Sequence, residues 1–528
     1  MKKGDICEAV ITSYDFPNKG SFMDGERKVT IKGALLGQKV RFMVTKRKSG
    51  MAEGRLLEVL EKSPMEDSEP YCPYFGMCGG CAYQTMSYKN QLKFKEDMVK
   101  KLLTPVINQS MKISSEWQGE TIDNVWEGII PSPVTEGYRN KMEFTFGDEY
   151  KDGPLALGLH KKGSFHDILN VSGCKIIGED WNKILDYSLK FFADKNVPFY
   201  HRMRHEGILR NLVVRQSKAT GEFLINLVTS TQWDKYDFGS SDEEFKGKSL
   251  IMEYVDGLVG LATTADFGGT IGGILYTEND SLGDVVQSDR TILLYGKEYI
   301  TEEVMGLSFK ISPFSFFQTN TKGCEVLYEK AREYIMSCGA MTCEKADVKV
   351  ENAPTKIVFD LYSGTGTIAQ MMSPVAKKVI GIEIVEEAVE AAKENAKLNG
   401  LDNCEFIAGD VLKAIDLVED KPDLIILDPP RDGINPKALE KILAFGVDEM
   451  VYISCKPTSL ARDLEVITKR GYNVVKACAV DQFPGTNHVE TVVLLSQQKP
   501  DDVSEVEIEL DELDLTSAES KATYKEIQ

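Results

Sequence analysis

A glycine-rich turn at residues 363–366 constrains the fold more than any other feature, because an apolar strand precedes it and a helix follows it. Glycines let the backbone turn sharply there and approach a ligand closely. From Lys356 to Leu495 strands and helices alternate, which predicts a parallel sheet covered by helices, a doubly wound, Rossmann-like α/β domain. The predicted strands are Ile357–Leu361, Val379–Ile382, Cys404–Ile407, Leu424–Leu427, Met450–Ile453 and Thr491–Ser496, with a helix at Val385–Asn399.

The N-terminal region, residues 1–62, contains short strands separated by glycine and basic residues. The pattern predicts a small OB-like β-barrel that contacts nucleic acid, although such a barrel can also serve only to pack against its neighbours. The predicted strands are Ile6–Thr12, Lys28–Ile31, Lys39–Thr45 and Leu56–Leu60.

A central β-rich domain is predicted for residues 63–305, ahead of the α/β domain at 306–498. It begins with a cysteine-rich turn and a helix at Tyr88–Leu103, and residues 104–130 are interpreted as an irregular polar insertion. Residues 499–528 are acidic and low in complexity, which predicts a disordered tail.

The net charge of −20 argues at first against a nucleic-acid partner, but the charge is unevenly distributed. Residues 1–62 carry 13 Lys/Arg against 8 Asp/Glu, and residues 501–528 carry 10 Asp/Glu against 2 Lys. Phosphate binding depends on local basic patches, so RNA remains a candidate partner. No apolar stretch suggests a membrane span or a secretory signal, and a cytoplasmic protein is expected.

The glycine turn is predicted to bind a cofactor together with acidic residues at the ends of the next two strands. Glu383 follows Gly364 by nineteen residues and ends the second strand, where a carboxylate can accept hydrogen bonds from ribose hydroxyls. Asp410 ends the third strand. The turn has the form Asp-x-x-x-Gly-x-Gly, similar to the S-adenosylmethionine loop of Rossmann-like methyltransferases, and this interpretation is favoured over NAD or a plain turn.

Three later motifs predict the chemistry: Asp428-Pro-Pro-Arg431 and Ser454-Cys-Lys-Pro457 at strand ends, and His488-Val-Glu490 before the last strand. Carbon 5 of uracil is a poor nucleophile until a thiolate adds to carbon 6. A methyl group can then be accepted at carbon 5, after which a base must remove the proton there. Cys455 and Glu490 fit these two roles, and Asp428 can hold the cofactor or the base edge.

Each of these motifs has a more ordinary interpretation when taken alone. A cysteine after an apolar strand is usually a small buried residue, and a glutamate before a strand is usually solvated. Asp-Pro-Pro also suits an amino-group methyltransferase. The joint occurrence in this order, after the cofactor loop, favours the uridine chemistry.

From the N-terminus to about residue 498 the chain resembles the RNA uridine-5 methyltransferases that act on ribosomal and transfer RNA. The family motifs correspond here to Ser312–Gln318, the loop at 360–367, Asp428–Arg431, Ser454–Pro457 and His488–Glu490. The resemblance implies that Cys455 is the nucleophile and Glu490 the base. It also implies that Gln318, Tyr362, Glu383 and Asp428 contact S-adenosylmethionine.

Two positions depart from the family pattern. Lys456 stands where the family usually has Asn, and an ammonium so near the nucleophile would lower the thiol pKa. Ser363 replaces a common cysteine in the cofactor loop, a near-isosteric change.

A cysteine cluster, Cys72-x5-Cys78-x2-Cys81, suggests metal ligation, because a cytoplasmic chain does not keep disulfides. Zinc and an iron–sulfur cluster both accept thiolate ligands, and four free thiols are the plain alternative. The spacing resembles the four-iron four-sulfur (4Fe–4S) cluster of the ribosomal branch of the family, with zinc as the minority alternative. That resemblance implies Cys174 as the fourth ligand and an N-terminal TRAM domain.

The predicted partner is large-subunit ribosomal RNA, because the cysteines and the N-terminal barrel are features of the ribosomal branch. Transfer RNA is the second candidate. An amino-group methyltransferase would leave Cys455 without a purpose, and a cytosine-5 enzyme would carry a different nucleophile motif. A non-catalytic RNA-binding or folding factor is the candidate outside enzymes. Nothing in the sequence requires more than a monomer.

Overall fold

The computed structural model describes residues 1–113, 120–164, 166–236, 238, 245, 247–283, 288–337 and 356–497. The tail predicted to be disordered lies outside the described residues. Among the described residues no helix has both the length and the apolarity that a membrane span requires.

The N-terminal strands form one six-stranded sheet around a small apolar core that includes Val29, Ile31 and Phe42. Its strands are β1 (Ile6–Val10), β2 (Ser13–Asp15), β3 (Lys19–Asp24), β4 (Arg27–Lys32), β5 (Lys39–Lys48) and β6 (Met51–Glu61), in the order β1-β5-β6-β4-β3-β2. The two outer strands, β1 and β2, follow each other directly in the chain but do not pair. Hydrogen bonding therefore leaves the sheet open, and the predicted closed OB-like barrel is not confirmed.

The next segment is more regular than the sequence suggests. Helix α1 (Tyr88–Ile113) continues through Pro105, and the short helix α2 (Ile122–Val125) leads into strand β7 (Trp126–Ile130). The interpretation of residues 104–130 as an irregular insertion is therefore wrong for their described part. Leu103, Val106 and Ile107 are buried, and burial of this apolar stripe outweighs the cost of the internal proline.

The central region is β-rich, as predicted. Its seven-stranded sheet packs against helices α3 (Glu179–Asp194) and α4 (Lys248–Leu261) around Trp181 and Tyr254. The strands are β8 (Lys141–Asp148), β9 (Leu155–His160), β10 (Ile168–Asn170), β11 (Leu209–Gln216), β12 (Glu222–Thr229), β13 (Thr270–Glu278) and β14 (Arg290–Gly296), in the order β10-β9-β8-β11-β12-β13-β14. The hairpin of β15 (Ile300–Val304) and β16 (Leu307–Ile311) follows.

The C-terminal region forms the predicted α/β domain. Its strands are β17 (Ile357–Leu361), β18 (Lys378–Glu383), β19 (Cys404–Ala408), β20 (Leu424–Leu427), β21 (Glu449–Ser454), β22 (Tyr472–Val480) and β23 (Glu490–Gln497). Its helices are α5 (Thr321–Ser337), α6 (Thr367–Met372), α7 (Glu386–Leu398), α8 (Val411–Ala414), α9 (Pro436–Leu443) and α10 (Pro457–Lys469).

Helix α7 shows why the sequence folds this way locally. Glu386 and Glu387 lie in its first turn, where negative charge favours the positive end of the helix dipole. Val389, Ala392 and Ala396 form its buried stripe. Gly400, with φ of 66°, follows its C-cap in the left-handed conformation that glycine adopts readily.

The sheet of this domain is mixed, in the order β19-β18-β17-β20-β21-β23-β22-β7. The strands from β17 to β21 are parallel, as predicted, but β23 is antiparallel to both of its neighbours. β7 adds the outer strand, parallel to β22. Helix α1 packs with α9 and α10 on one face, whereas α5, α6 and α7 cover the other.

We expect Gly366→Ala to destabilise the α/β domain more than Gly400→Ala does. Both glycines have left-handed backbones, so both substitutions incur the same backbone strain. Only at Gly366 would the new Cβ meet neighbours, 2.6 Å from Phe406 and 2.8 Å from Ala392. The extra loss in the free energy of unfolding should be about 1–3 kcal/mol by chemical denaturation. Equal losses in the two variants would contradict the packing seen here.

Candidate active site

The cofactor loop begins where β17 ends, and backbone contacts fix its shape. The N–H groups of Tyr362 and Ser363 both donate to the carbonyl of Ile382, at 3.0 Å each. Tyr362 has a left-handed backbone with φ of 69°, which turns the chain away from the sheet. The Glu383 carboxylate accepts from the N–H of Gly364 at 2.9 Å and from that of Val385 at 3.0 Å.

Asp360 supports this loop from below and is a residue to which the sequence motif assigned no separate role. Its carboxylate is fully buried and accepts hydrogen bonds from Ser363 Oγ at 2.8 Å and from the Ala369 N–H at 3.0 Å. Burial raises the pKa of Asp360 to about 6. It therefore joins the loop to the first turn of α6 and does not face the cofactor pocket.

A small pocket lies between this loop and the segment before α5. Four of the predicted cofactor residues line it, together with Phe316 and Tyr328: Gln318, Tyr362, Gly364 and Asp428. Glu383 adjoins the pocket through its bond to Gly364. Asp410 is not among the lining residues, and it caps α8 by accepting from the Leu412 N–H at 2.8 Å. The pocket combines carboxylates, an amide and aromatic rings, a donor set that suits a nucleoside carrying a sulfonium.

The predicted nucleophile and base are brought together by the antiparallel pairing of β21 and β23. Ser454 is paired with Thr491, so Cys455 after the end of β21 lies beside Glu490 at the start of β23. Thr491 Oγ1 donates to the Ser454 carbonyl at 3.3 Å and reinforces the register. Glu490 is 4% exposed, and Asp428 lies nearby at the end of β20.

The electrostatics of this group disfavour negative charge. Burial raises the pKa of Cys455 to about 11, with further contributions from Glu490 and Asp428. Burial also raises the pKa of Glu490 to about 7, and burial with the charge of Glu490 raises that of Asp428 well above its usual range. A thiolate therefore needs a positive neighbour to form.

Arg431 supplies that positive charge, a role not recognised from the sequence although Arg431 belongs to the Asp-Pro-Pro-Arg motif. Its guanidinium lies close enough to Cys455 and Glu490 to lower the pKa of both. Lys456, the cation suggested by the sequence, has its ammonium 3.8 Å from the exposed carboxylate of Asp432 and is not a cause of the Cys455 pKa shift. The sequence signal was the position of Arg431, three residues after Asp428 at a strand end.

The four predicted metal ligands lie in one region of the structure although Cys174 is distant in sequence. The neighbouring Cys174 thiol lowers the pKa of Cys72 to about 6, and Cys72 together with burial raises the pKa of Cys174. Burial raises the pKa of Cys81 to about 11, with contributions from Cys72 and Cys78. The donor chemistry fits a thiolate-bound group, but within the described part of the chain no three ligand side chains are grouped as a metal ion requires.

The chain is similar to several known proteins. A family model described as tRNA (Uracil-5-)-methyltransferase matches residues 318–498. An uncharacterized RNA methyltransferase of Caldanaerobacter subterraneus subsp. tengcongensis is 46% identical over 497 residues, covering 94% of this chain and 100% of the relative. One from Clostridium acetobutylicum is 45% identical over 498 residues, covering 94% and 99%.

Among solved structures, the chain is similar to the Pyrococcus abyssi tRNA (uracil-54, C5)-methyltransferase in complex with S-adenosyl-L-homocysteine. The TM-score is 0.65 at 24% identity, and the match covers 93% of this chain and all of that one. At this level of identity the likeness shows a common fold.

We expect Arg431→Met to slow the alkylation of Cys455 by iodoacetamide, followed peptide by peptide with mass spectrometry at mildly alkaline pH. Loss of the guanidinium raises the thiol pKa, and each rise of about one unit lowers the thiolate fraction and the alkylation rate about tenfold. Lys456→Met is the matched control and should react at the wild-type rate. Slower labelling in the control alone would instead assign the effect to Lys456.

Proposed function

The chain belongs to the S-adenosylmethionine-dependent RNA (uracil-5-)-methyltransferase family, and we propose that it methylates carbon 5 of a specific uridine in 23S ribosomal RNA through a covalent adduct to Cys455. The observation that carries the adduct is the pairing of Ser454 with Thr491, which sets Cys455 beside Glu490. A thiol next to a buried carboxyl, near Asp428 of the cofactor pocket, suits addition followed by proton removal.

In this proposal the cofactor is held by Gln318, Tyr362, Gly364, Glu383, Asp410 and Asp428. When bound, S-adenosylmethionine supplies an electrophilic methyl group. Glu383 accepts hydrogen bonds from the ribose hydroxyls, in exchange for those it now receives from the loop. Asp410 keeps one carboxylate oxygen on the Leu412 N–H, and its other oxygen is the one that would contact the nucleoside.

The thiolate of Cys455, stabilised by Arg431, adds to carbon 6 of the uracil, and the electron pair of the 5,6 double bond moves toward carbon 5. Carbon 5 would then accept the methyl group that the bound cofactor supplies, with the electron pair of the broken bond remaining on the cofactor's sulfur. The Glu490 carboxylate removes the proton from carbon 5, the electron pair restores the double bond, and the thiolate departs. A carboxyl with a pKa of about 7 is suited to accept that proton near neutral pH.

Ribosomal RNA is proposed as the substrate because the four cysteines and the N-terminal sheet match features of the ribosomal branch. A transfer-RNA substrate is the second candidate, favoured by the name of the family model and by the substrate of the Pyrococcus abyssi enzyme. The reaction of an amino-group methyltransferase does not require a cysteine beside Glu490. A non-catalytic RNA-binding factor requires neither a nucleophile nor a base at these positions.

We further propose that Cys72, Cys78, Cys81 and Cys174 hold a 4Fe–4S cluster, with zinc as the alternative. The nearness of Cys174 to Cys72, from which it is distant in sequence, supports thiolate ligation at this place. The cluster would be structural or would contact RNA, because the methyl transfer described above moves no unpaired electron.

The remaining assignments follow from the same proposal. Residues 1–62 form a TRAM or OB-like RNA-binding module and residues 63–305 the central domain, apart from α1, α2 and β7, which pack with residues 306–498 as the catalytic domain. The enzyme works in the cytoplasm, where ribosomal and transfer RNA are found, and as a monomer, because all proposed catalytic groups come from one chain.

We expect the wild-type protein to transfer labelled methyl groups from S-adenosylmethionine to unmodified ribosomal RNA, and Cys455→Ala to transfer none, because no other thiol occupies that strand end. The product is identified as 5-methyluridine by nucleoside analysis. Glu490→Gln should form the methylated adduct but release it about a hundredfold to ten-thousandfold more slowly, and so should accumulate enzyme–RNA complex on denaturing gels.

Three outcomes decide between the candidate functions. Label found only in transfer RNA would keep the mechanism and replace the substrate. Equal labelling by Cys455→Ala would contradict the covalent route and favour an amino-group acceptor. Absence of labelling in both RNAs by the wild type would favour the non-catalytic factor.

We expect protein purified without oxygen to contain about four iron and four sulfide per chain, with visible absorption from thiolate-to-iron charge transfer. Cys78→Ser should lose most of the iron, whereas Cys404→Ser, a half-buried cysteine of β19, should keep it. Stoichiometric zinc without iron in the wild type would favour the zinc alternative, and neither metal would contradict ligation.

A further inference from the structure

The loop that leads into the catalytic base is held by a buried lysine from a distant part of the chain. Residues 481–489, here called the base loop, connect β22 to Glu490. Lys95 of α1 is fully buried, and its ammonium forms a 2.6 Å ion pair with Asp481, which is also fully buried. The same ammonium donates to the carbonyls of Phe483 and His488, at 3.1 Å each.

These three hydrogen bonds use the three donors of the ammonium and connect it to both ends of the base loop. Asp481 is the first residue of the loop, and His488 lies two residues before Glu490. Lys95 thus bridges the point where the chain leaves β22 and the point where it enters β23.

A charged residue on the buried stripe of a helix is costly unless it is fully paired. Lys95 lies between Gln91 and Met98 on the face of α1 that packs inward, and burial lowers the pKa of its ammonium while Asp481 raises it. An apolar pair in place of both Lys95 and Asp481 would pack here without burying any charge. The ion pair therefore calls for a functional explanation beyond packing.

Other hydrogen bonds hold the middle of the base loop, whereas beside Glu490 the side chain of Val489 is buried in the core. Gly485 donates to Gln91 at 2.9 Å, and its carbonyl accepts from Ala82 and Tyr83. The Tyr138 hydroxyl donates to the Pro484 carbonyl at 2.9 Å. Between Gly485 and Glu490, among the hydrogen bonds of the described chain, Lys95 is the anchor that comes from outside the loop.

From this geometry we propose that Lys95 is a positioning residue for Glu490. Its ammonium fixes the His488 carbonyl and so holds the Glu490 carboxyl against the carbon-5 proton after methyl transfer. The inference rests on the proposed function, since it assigns Lys95 to the last step of that reaction. Thiolate addition and methyl transfer depend on Cys455, Arg431 and the cofactor pocket, none of which Lys95 contacts.

The test is whether removal of the ammonium slows release of the RNA more than it slows formation of the adduct. We expect Lys95→Met, with ribosomal RNA and S-adenosylmethionine, to form the methylated adduct at close to the wild-type rate. Proton removal should slow by about tenfold to a hundredfold, because a small displacement of a base has effects of this size. Adduct on denaturing gels should therefore accumulate, and tritium release from 5-tritiated uridine should slow in parallel.

Lys100→Met is the matched control, because Lys100 lies on the same helix but pairs with Asp123 at 2.6 Å, away from the base loop. It should behave as the wild type. If Lys95→Met does not fold, Asp481→Asn provides the test, because it keeps the side-chain volume and weakens the ion pair with Lys95. This variant should accumulate adduct to a smaller extent than Lys95→Met.

A uniform loss of adduct formation and of tritium release in a folded variant would overturn the proposal and leave Lys95 a structural residue. Wild-type release rates in Lys95→Met, or in Asp481→Asn when it is the variant measured, would also overturn it. If the wild type itself forms neither 5-methyluridine nor adduct with ribosomal or transfer RNA, the proposed function fails, a result distinct from failure of the Lys95 inference alone.

Discussion

The antiparallel pairing of β23 with β21 is the constraint on which the site depends. In a fully parallel sheet the start of a strand lies at the edge opposite the carboxyl ends, far from the ligand pocket. Because β23 runs the other way, its first residue lies at the carboxyl edge, and Glu490 meets Cys455 there. The position of β22, outside β23, then requires a connecting loop across the same edge, which brings residues 481–489 to the site.

Charged side chains near the contact between Cys455 and Glu490 determine the protonation of both residues. Asp360, Asp428 and Glu490 are acidic groups whose pKa values burial raises, and Arg431 is the cation that acts on both Cys455 and Glu490. A buried carboxyl that gains and loses a proton near neutral pH can serve as a base and be regenerated by solvent. In the proposed reaction, the Cys455 thiol stays protonated until the substrate and the Arg431 guanidinium stabilise its anion.

The sequence predicted the local elements of the catalytic domain well, because strong alternation of apolar strands with helices leaves few other folds. The family resemblance implied that Gln318, Tyr362 and Asp428 contact the cofactor, and these three side chains line one pocket together with Gly364. The direction of β23 could not be derived, because a buried strand has the same composition in either orientation.

The continuation of α1 through Pro105 could not be predicted either, because it depends on tertiary burial of Leu103, Val106 and Ile107, which local helix propensity does not reflect. Arg431 and Lys456 are both close to Cys455 in sequence. Only their positions in the structure show that Arg431 is the cation that lowers the pKa of Cys455.

The participation of β7 and α1 in the catalytic sheet has a consequence for biosynthesis. Both elements emerge from the ribosome early, but β7 pairs with β22, and α1 packs against α10 and β22, near the other end of the chain. Until those late strands are translated, the apolar stripe of α1 and the hydrogen-bonding edge of β7 lack their partners in the nascent chain. The catalytic domain therefore cannot fold independently of the earlier segments. Pairing of β7 and packing of α1 must wait until β22 and β23 have been synthesised.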